Sequence, residues 1–453
     1  MLQSAQNSSI TASADAVKTT SSSSSLSTSV YWAFILAILV LLGSLNNNGS
    51  PLIFQSAKLP IVLVILLSNS ALLLYFFLAK RIHPYLRFPL IMCGISCAVY
   101  VVAQVLQGSI GGIVISVGQL VVLLGLYLHC STMRWSNTML VVLSWAFGVY
   151  CAIMTASWVA VGLPYRFTGT MTNANIFGSY AGFCLFFLCL GLLSEQLFIN
   201  KLLLSVVGII CLVMIYNTGS RAIFLGLLGA IFTYIIWNSI TKSKRRFQTY
   251  FLIVITLLVG FVALYLYIQI LPFGAVLDKV SQELFGKTVY SPRLMIWLAI
   301  LQKLSLKPMF GYGPYYIPKN LIDTGYSAHN VYLQVALQSG FMGLAALLTL
   351  LGSIWSSLWP GRQDHRVRLA GAFLVAIIIH QTFDVSLTQH NPAQALVMWL
   401  ILGIGTGISL NSLRPPSVAE ITAARPENGQ RGKDKRTRGL SEDPPAQATP
   451  QPA

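Results

Sequence analysis

The sequence predicts an all-α polytopic membrane protein. Of 453 residues, 55% are hydrophobic and only 9% are charged, where a soluble domain carries about 25% charged residues. The apolar residues also gather in runs that reach or approach the roughly 20 residues a helix needs to cross a bilayer. The alternating pattern of a membrane β-barrel is absent, which removes that architecture.

About twelve spans are expected on this length criterion. They lie near 31–45, 59–79, 88–106, 111–129, 139–161, 175–194, 199–216, 221–238, 250–271, 329–358, 367–387 and 393–412. The first run has Lys18 as the only cation before it, far from the run, and no clear small-residue cleavage site after it, so it reads as a span rather than a secretion signal. Residues 1–30 are dominated by Ser, Thr and Ala, and residues 413–453 by Pro, Gln, Lys and Arg. Neither composition can bury a core, so both read as disordered tails around a transmembrane domain at 31–412. The longest polar-leaning segment inside that domain, 272–328, reads as a loop with short helices, one of them at Arg293–Leu304.

The net charge is +17, but its placement speaks for topology rather than for a nucleic-acid partner. With the N-terminus in the cytoplasm, the inner loops hold Lys80, Arg81, Arg87, Arg134, Lys201, Lys242, Lys244, Arg245, Arg246, Arg362, Arg366 and Arg368, and the tail adds more. The short outer loops are almost free of cations, as the positive-inside rule requires. Both termini are then cytoplasmic, and the long loop faces out. Without a eukaryotic sorting signal, this topology points to a bacterial inner membrane with the loop in the periplasm. The seven cysteines fall almost entirely within apolar runs, which makes them packing residues rather than a disulfide framework or zinc site.

Few residues on the outward face can carry chemistry. Its acids, Asp278, Glu283, Asp323 and Asp384, form no cluster. A divalent metal needs several hard oxygen ligands, so no metal cofactor is expected. Three arginines stand out: Arg166 in the loop before the sixth span, Arg221 at the start of a span after Asn-Thr-Gly-Ser, and Arg293 after Ser-Pro. A guanidinium is a planar, permanent cation suited to phosphate oxygens, although each can also reach out to lipid headgroups. A charge at a span boundary is more often functional than decorative.

His329 opens the tenth span, with Asn330 as a candidate cap. The partial positive charge of a helix N-terminus disfavours the imidazolium, so a ring there suits a proton acceptor. Position alone also allows a plain interfacial hydrogen-bonding role. His380 and Asp384 share a helical face and read equally as packing or as part of a polar cavity. Tyr312, Tyr315, Tyr316 and Tyr326 surround a Gly-Tyr-Gly-Pro turn, where such rings suit a sugar face or the membrane interface.

Taken in order, Thr-Gly-Ser-Arg at 218–221, Ser-Pro-Arg at 291–293, Pro-Met-Phe-Gly-Tyr-Gly-Pro at 308–314 and His-Asn-Val-Tyr-Leu-Gln to Ser-Gly-Phe-Met-Gly at 329–343 resemble the O-antigen ligase family. O-antigen polymerases and protein O-oligosaccharyltransferases are its relatives. The match is strongest over 218–345, and the loop at 165–175 adds to it. Gln338 departs from the pattern, since many relatives carry an acid there. The resemblance implies a metal-independent, inverting glycosyltransferase without cofactors. It would move a glycan from undecaprenyl pyrophosphate to a sugar hydroxyl of lipid A-core on the periplasmic side. By matching position, His329 would be the general base, and Arg221 and Arg293 would hold the pyrophosphate. Arg166, Asn330, Tyr312 and Tyr316 would contact substrate. A protein or pilin acceptor, or a polymerase, is the nearest alternative. A transporter is a more distant one, because no pair of Gly- or Pro-broken spans suggests inverted repeats.

Overall fold

A computed structural model describes residues 31–44, 83–108, 111–268, 273–285, 293–321, 327–388 and 392–413, with isolated positions between and beside these stretches. The expected span at 59–79 and both tails lie essentially outside the described residues. The chain up to Ser412 forms one compact unit, and a second begins at Leu413.

The described residues form helices, with no strand among them. In chain order they are α1 (Tyr31–Ser44), α2 (Pro84–Val105), α3 (Gly111–Thr132), α4 (Asn137–Ala160), α5 (Ala174–Ser194), α6 (Phe198–Thr218), α7 (Arg221–Ile240), α8 (Lys244–Tyr267), α9 (Gly274–Phe285), α10 (Arg293–Leu306), α11 (Val331–Ser357), α12 (His365–His380) and α13 (Pro392–Asn411). Eight are long and apolar enough to cross a membrane, and the chain is a multi-pass membrane protein. α9, which the reading of the loop does not single out, and α10 are the short helices of the long segment.

Two spans differ from expectation at three points, each for a local reason. The span expected at 367–387 stops at His380, and residues 381–388 are non-helical. The side chain of Gln381 accepts from the Leu387 N–H, so a polar residue closes a turn where the apolar count continues a helix. The span expected from 329 begins at Val331, because Asn330 caps it from an extended backbone. That helix, α11, is also broken at Gly340, whose φ of 65° and ψ of −166° are not helical.

A break inside a span exposes backbone groups that the bilayer cannot solvate. Here residues 308–313 answer it. Tyr312 and Gly313 donate their N–H groups to the carbonyls of Leu337 and Gln338 at 2.9 and 2.8 Å, while Phe341 and Met342 donate to Pro308 and Met309 at 2.7 and 3.2 Å. The Gln338 amide adds bonds to the carbonyls of Pro314 and Tyr316. From the other side, Gln107 donates to the Gly311 carbonyl and accepts from Lys307. The Gly-Tyr-Gly-Pro and Ser-Gly-Phe-Met-Gly motifs are therefore two halves of one joint. Glycine is required on both sides: a Cβ at Gly340 would strike the Met309 carbonyl, and one at Gly311 would lie 2.5 Å from the Leu337 carbonyl.

Among the described residues, the most extensive helix pairing is that of α7 with α12. A Cβ on Gly226 would lie 3.0 Å from the Ala376 carbonyl, Ala230 packs with Ala372 and Ala376, and Arg368 donates to the Tyr234 carbonyl at 2.7 Å while lying over its ring. Small residues let membrane helices approach closely. The pairs 226–376, 230–372 and 234–368 define one antiparallel register. Continued one further turn, it brings Arg221 opposite His380 and Gln381.

Gly340→Ala and Gly311→Ala should each destabilise the purified protein by at least about 2 kcal/mol, since both combine a left-handed backbone with a backbone clash. Gly94→Ala and Gly260→Ala, with nothing near their Cβ positions, should leave thermal unfolding in detergent unchanged. Equal unfolding midpoints for all four variants would remove the joint from this account.

Candidate functional site

The helix ends carrying the predicted residues converge. Gly219, with φ 66°, ends α6 in the left-handed conformation and lets the chain turn directly into α7. Thr218 and Ser220 pack on Gly178 of α5, which seats the start of α7 beside the start of α5. Ser220 is the N-cap of α7 but makes no side-chain cap bond. The first-turn N–H groups of α7 thus keep the anion-seeking character of a helix start, and Arg221 stands among them, exposed.

Arg293 opens α10 and is partly buried. Burial lowers its pKa from the usual guanidinium range; Tyr265 and Asp384 oppose that shift, and Arg221 reinforces it. The guanidinium remains a cation. Arg221, Arg293 and Asp384 are therefore electrostatic neighbours, although they come from three separate stretches of chain. Asp384 is no longer on the helix of His380, yet its carboxylate still lies 3.8 Å from that ring. The pair that the sequence leaves undecided belongs to this polar cluster.

His329 is held on both sides. The preceding residue, Ala328, accepts a 2.8 Å bond from the indole of Trp297, one turn along α10 from Arg293. Two residues later, Val331 donates to the Gln381 carbonyl at 2.9 Å. Between these anchors His329 has φ 47°, a conformation that strains any side chain larger than glycine. Among the described residues, the non-glycine residues with positive φ are Leu163, Arg166 and His329, so two of the three are predicted site residues.

The remaining predicted residues divide. Arg166 is exposed, and its backbone N–H donates to the Asn217 carbonyl at 2.8 Å, which ties its loop to the end of α6. Asn330 is fully buried; its Oδ1 accepts from the Leu333 N–H at 3.0 Å and caps α11. Tyr312 and Tyr316 stack with centroids 4.9 Å apart. The Tyr312 hydroxyl donates to the Lys303 carbonyl, and Lys307 lies over its ring. Both tyrosines pack with Trp297, Ala328 and Leu337, so their contacts support the α10–α11 joint. Trp297, Gln381 and Ser179 hold the site and escape sequence reasoning. Their signals are a ring in an apolar helix and polar residues within a nominal span, neither of which marks function by itself. Among the described residues, no group of three His, Cys, Asp or Glu side chains is placed to hold a metal ion.

Comparison with known proteins bears on this segment. Residues 206–348 match the family model of the O-antigen ligases, and the resemblance carried by the motifs is thereby shown. The match runs from within α6, through α7 to α10, into the second half of α11. No curated protein matches the chain.

If Asn330 acts as the α11 cap, Asn330→Ala should cost about 0.5–2 kcal/mol in thermal unfolding, and Asn330→Ser should recover most of it. An alanine variant as stable as the parent would release Asn330 from capping.

Proposed function

We propose, for a chain whose segment 206–348 belongs to the O-antigen ligase family, that it transfers O-antigen polysaccharide from undecaprenyl pyrophosphate to a sugar hydroxyl of lipid A-core. The observation that carries this reading is that Arg221 and Arg293, each at the start of a helix, are near enough to interact electrostatically. Two guanidiniums with one neighbouring carboxylate suit a diphosphate better than a single phosphate or a neutral sugar. The uncapped start of α7 adds N–H donors of the same preference.

In this reading His329 takes the proton of the acceptor hydroxyl as its oxygen attacks the anomeric carbon. The bond from that carbon to the pyrophosphate breaks, and its electron pair leaves with the phosphate oxygen. One displacement inverts the anomeric centre. Charge grows on the leaving group, and stabilising charge where it develops is usually the largest catalytic contribution. Arg221 and Arg293 supply it, with no cofactor and no divalent metal. Membrane lipid surrounds the donor's polyprenyl chain. The distribution of Lys and Arg supports an inner-membrane protein with this end of the helices in the periplasm. Arg166, which is exposed, is retained as a substrate contact, while buried Asn330 and the stacked Tyr312 and Tyr316 support the elements that carry the site.

The test is glycan transfer from the lipid-linked donor to purified core acceptor. His329→Ala should lose about 10²–10⁴-fold in rate at unchanged membrane abundance. Arg221→Lys and Arg293→Lys should each be strongly impaired, because lysine keeps the charge and loses the fork, while excess EDTA should leave the parent active. Near-normal transfer by a well-expressed His329→Ala protein would remove the base, and EDTA-sensitive activity restored by magnesium would remove the metal-independent scheme.

A further inference from the structure

Beside Asp384 lies a buried chain of hydrogen bonds centred on His380. His380 is 1% exposed. The Gln381 amide donates to its Nδ1 at 3.3 Å, because the Oε1 of that same amide already accepts from the Leu387 N–H at 3.0 Å. Nδ1 is then the acceptor, and Nε2 carries the hydrogen. Nε2 lies 2.7 Å from Ser179 Oγ, and Ser179 donates its own hydrogen to the Asn175 carbonyl at 2.8 Å. The neutral Nε2–H tautomer alone satisfies every partner.

This ring therefore joins α5 to the end of α12, and it fixes the residue that holds His329. Gln381 uses its side chain on His380, Ser386 and Leu387, and its carbonyl receives the Val331 N–H at 2.9 Å. We infer that His380 is a positioning residue: through Gln381 it sets where the start of α11, and hence His329, stands relative to the arginines. It does not touch substrate or exchange protons. The inference rests on the proposed role of His329 only for its effect on transfer; the placement itself does not.

Two measurements on the full-length protein in lipid nanodiscs separate those parts. In the first, His329→Cys is labelled with a water-soluble maleimide, with and without His380→Ala. Cys97 and Cys189 are half-buried, as His329 is, so labelling of position 329 is read as the excess over the parent protein, and over His380→Ala alone, each treated in the same way. A several-fold change in labelling rate is expected, and an unchanged rate would overturn the inference whether or not residue 329 is the base. The second is steady-state transfer. His380→Ala should lower kcat by up to about a hundredfold, the penalty of a small misplacement of a reacting group, with the donor KM unchanged. Ser179→Ala should reproduce much of that loss. His380→Gln, whose amide reaches the Nε2 position and still donates to Ser179, should recover several-fold of it. In a His329→Ala background, His380→Ala should have no further effect. Full activity in both His380→Ala and Ser179→Ala, or an equal loss in the His329→Ala background, would overturn it. Should His380→Ala fail to fold, His380→Gln and Ser179→Ala carry the same comparison.

Discussion

Everything at this end of the protein depends on how a broken membrane helix is completed. α11 cannot stop at Gly340 within the bilayer unless its orphaned carbonyls and N–H groups find partners. The segment 308–313 provides them, two bonds on each side of the break. That requirement fixes the end of α10 against the middle of α11. The indole of Trp297, one turn into α10, then fixes the start of that helix against Ala328. A helix fastened at both points leaves little freedom to Arg293 at its start or to His329 beyond its far anchor. A segment that reads from sequence as a loop with short helices is part of the frame.

The second constraint is electrostatic. Arg221 and Arg293 are like charges close enough to disfavour one another, and burial makes Arg293 less favourable still. Asp384 offsets part of that charge. Such an arrangement persists only when the fold holds it rigidly, here through the close approach of α7 to α12 and the seating of Thr218 and Ser220 on α5. Its net positive charge lies at a helix start, where an anion is favoured twice over. The same constraint explains why His380, beside Asp384, is hydrogen-bonded to neutral partners through both ring nitrogens.

Much of this is legible in the sequence. The apolar runs mark the helices, a cation at a span edge marks Arg221, and a cation after Ser-Pro in the long loop marks Arg293. What stays hidden is hidden for physical reasons. Hydropathy carries the span through Gln381 to Leu387 because the long apolar run before it and Phe383, Val385 and Leu387 within it keep the average high, yet one glutamine side chain is enough to close a turn there. The break at Gly340 leaves no mark on periodicity, since helical residues flank it on both sides. Its partner, Gly311, is distant in sequence, and only three-dimensional proximity shows why both are glycine. Asn330 is recognisable as a cap candidate from its place before an apolar run, and its burial follows from that. Tyr312 and Tyr316 carry rings that suit sugar and packing alike, and composition cannot choose between them.

The central claim is that Arg221 and Arg293 act together on one pyrophosphate, and donor binding tests it without any chemistry. Affinity for undecaprenyl pyrophosphate would be measured in nanodiscs for the parent, Arg221→Gln, Arg293→Gln, the double variant and His329→Ala. Charge-assisted bonds are worth about 1.5–3 kcal/mol each, so each glutamine should weaken binding by roughly tenfold or more. The two losses should be non-additive, and His329→Ala should bind like the parent. Parent-like affinity in the double arginine variant would contradict the account.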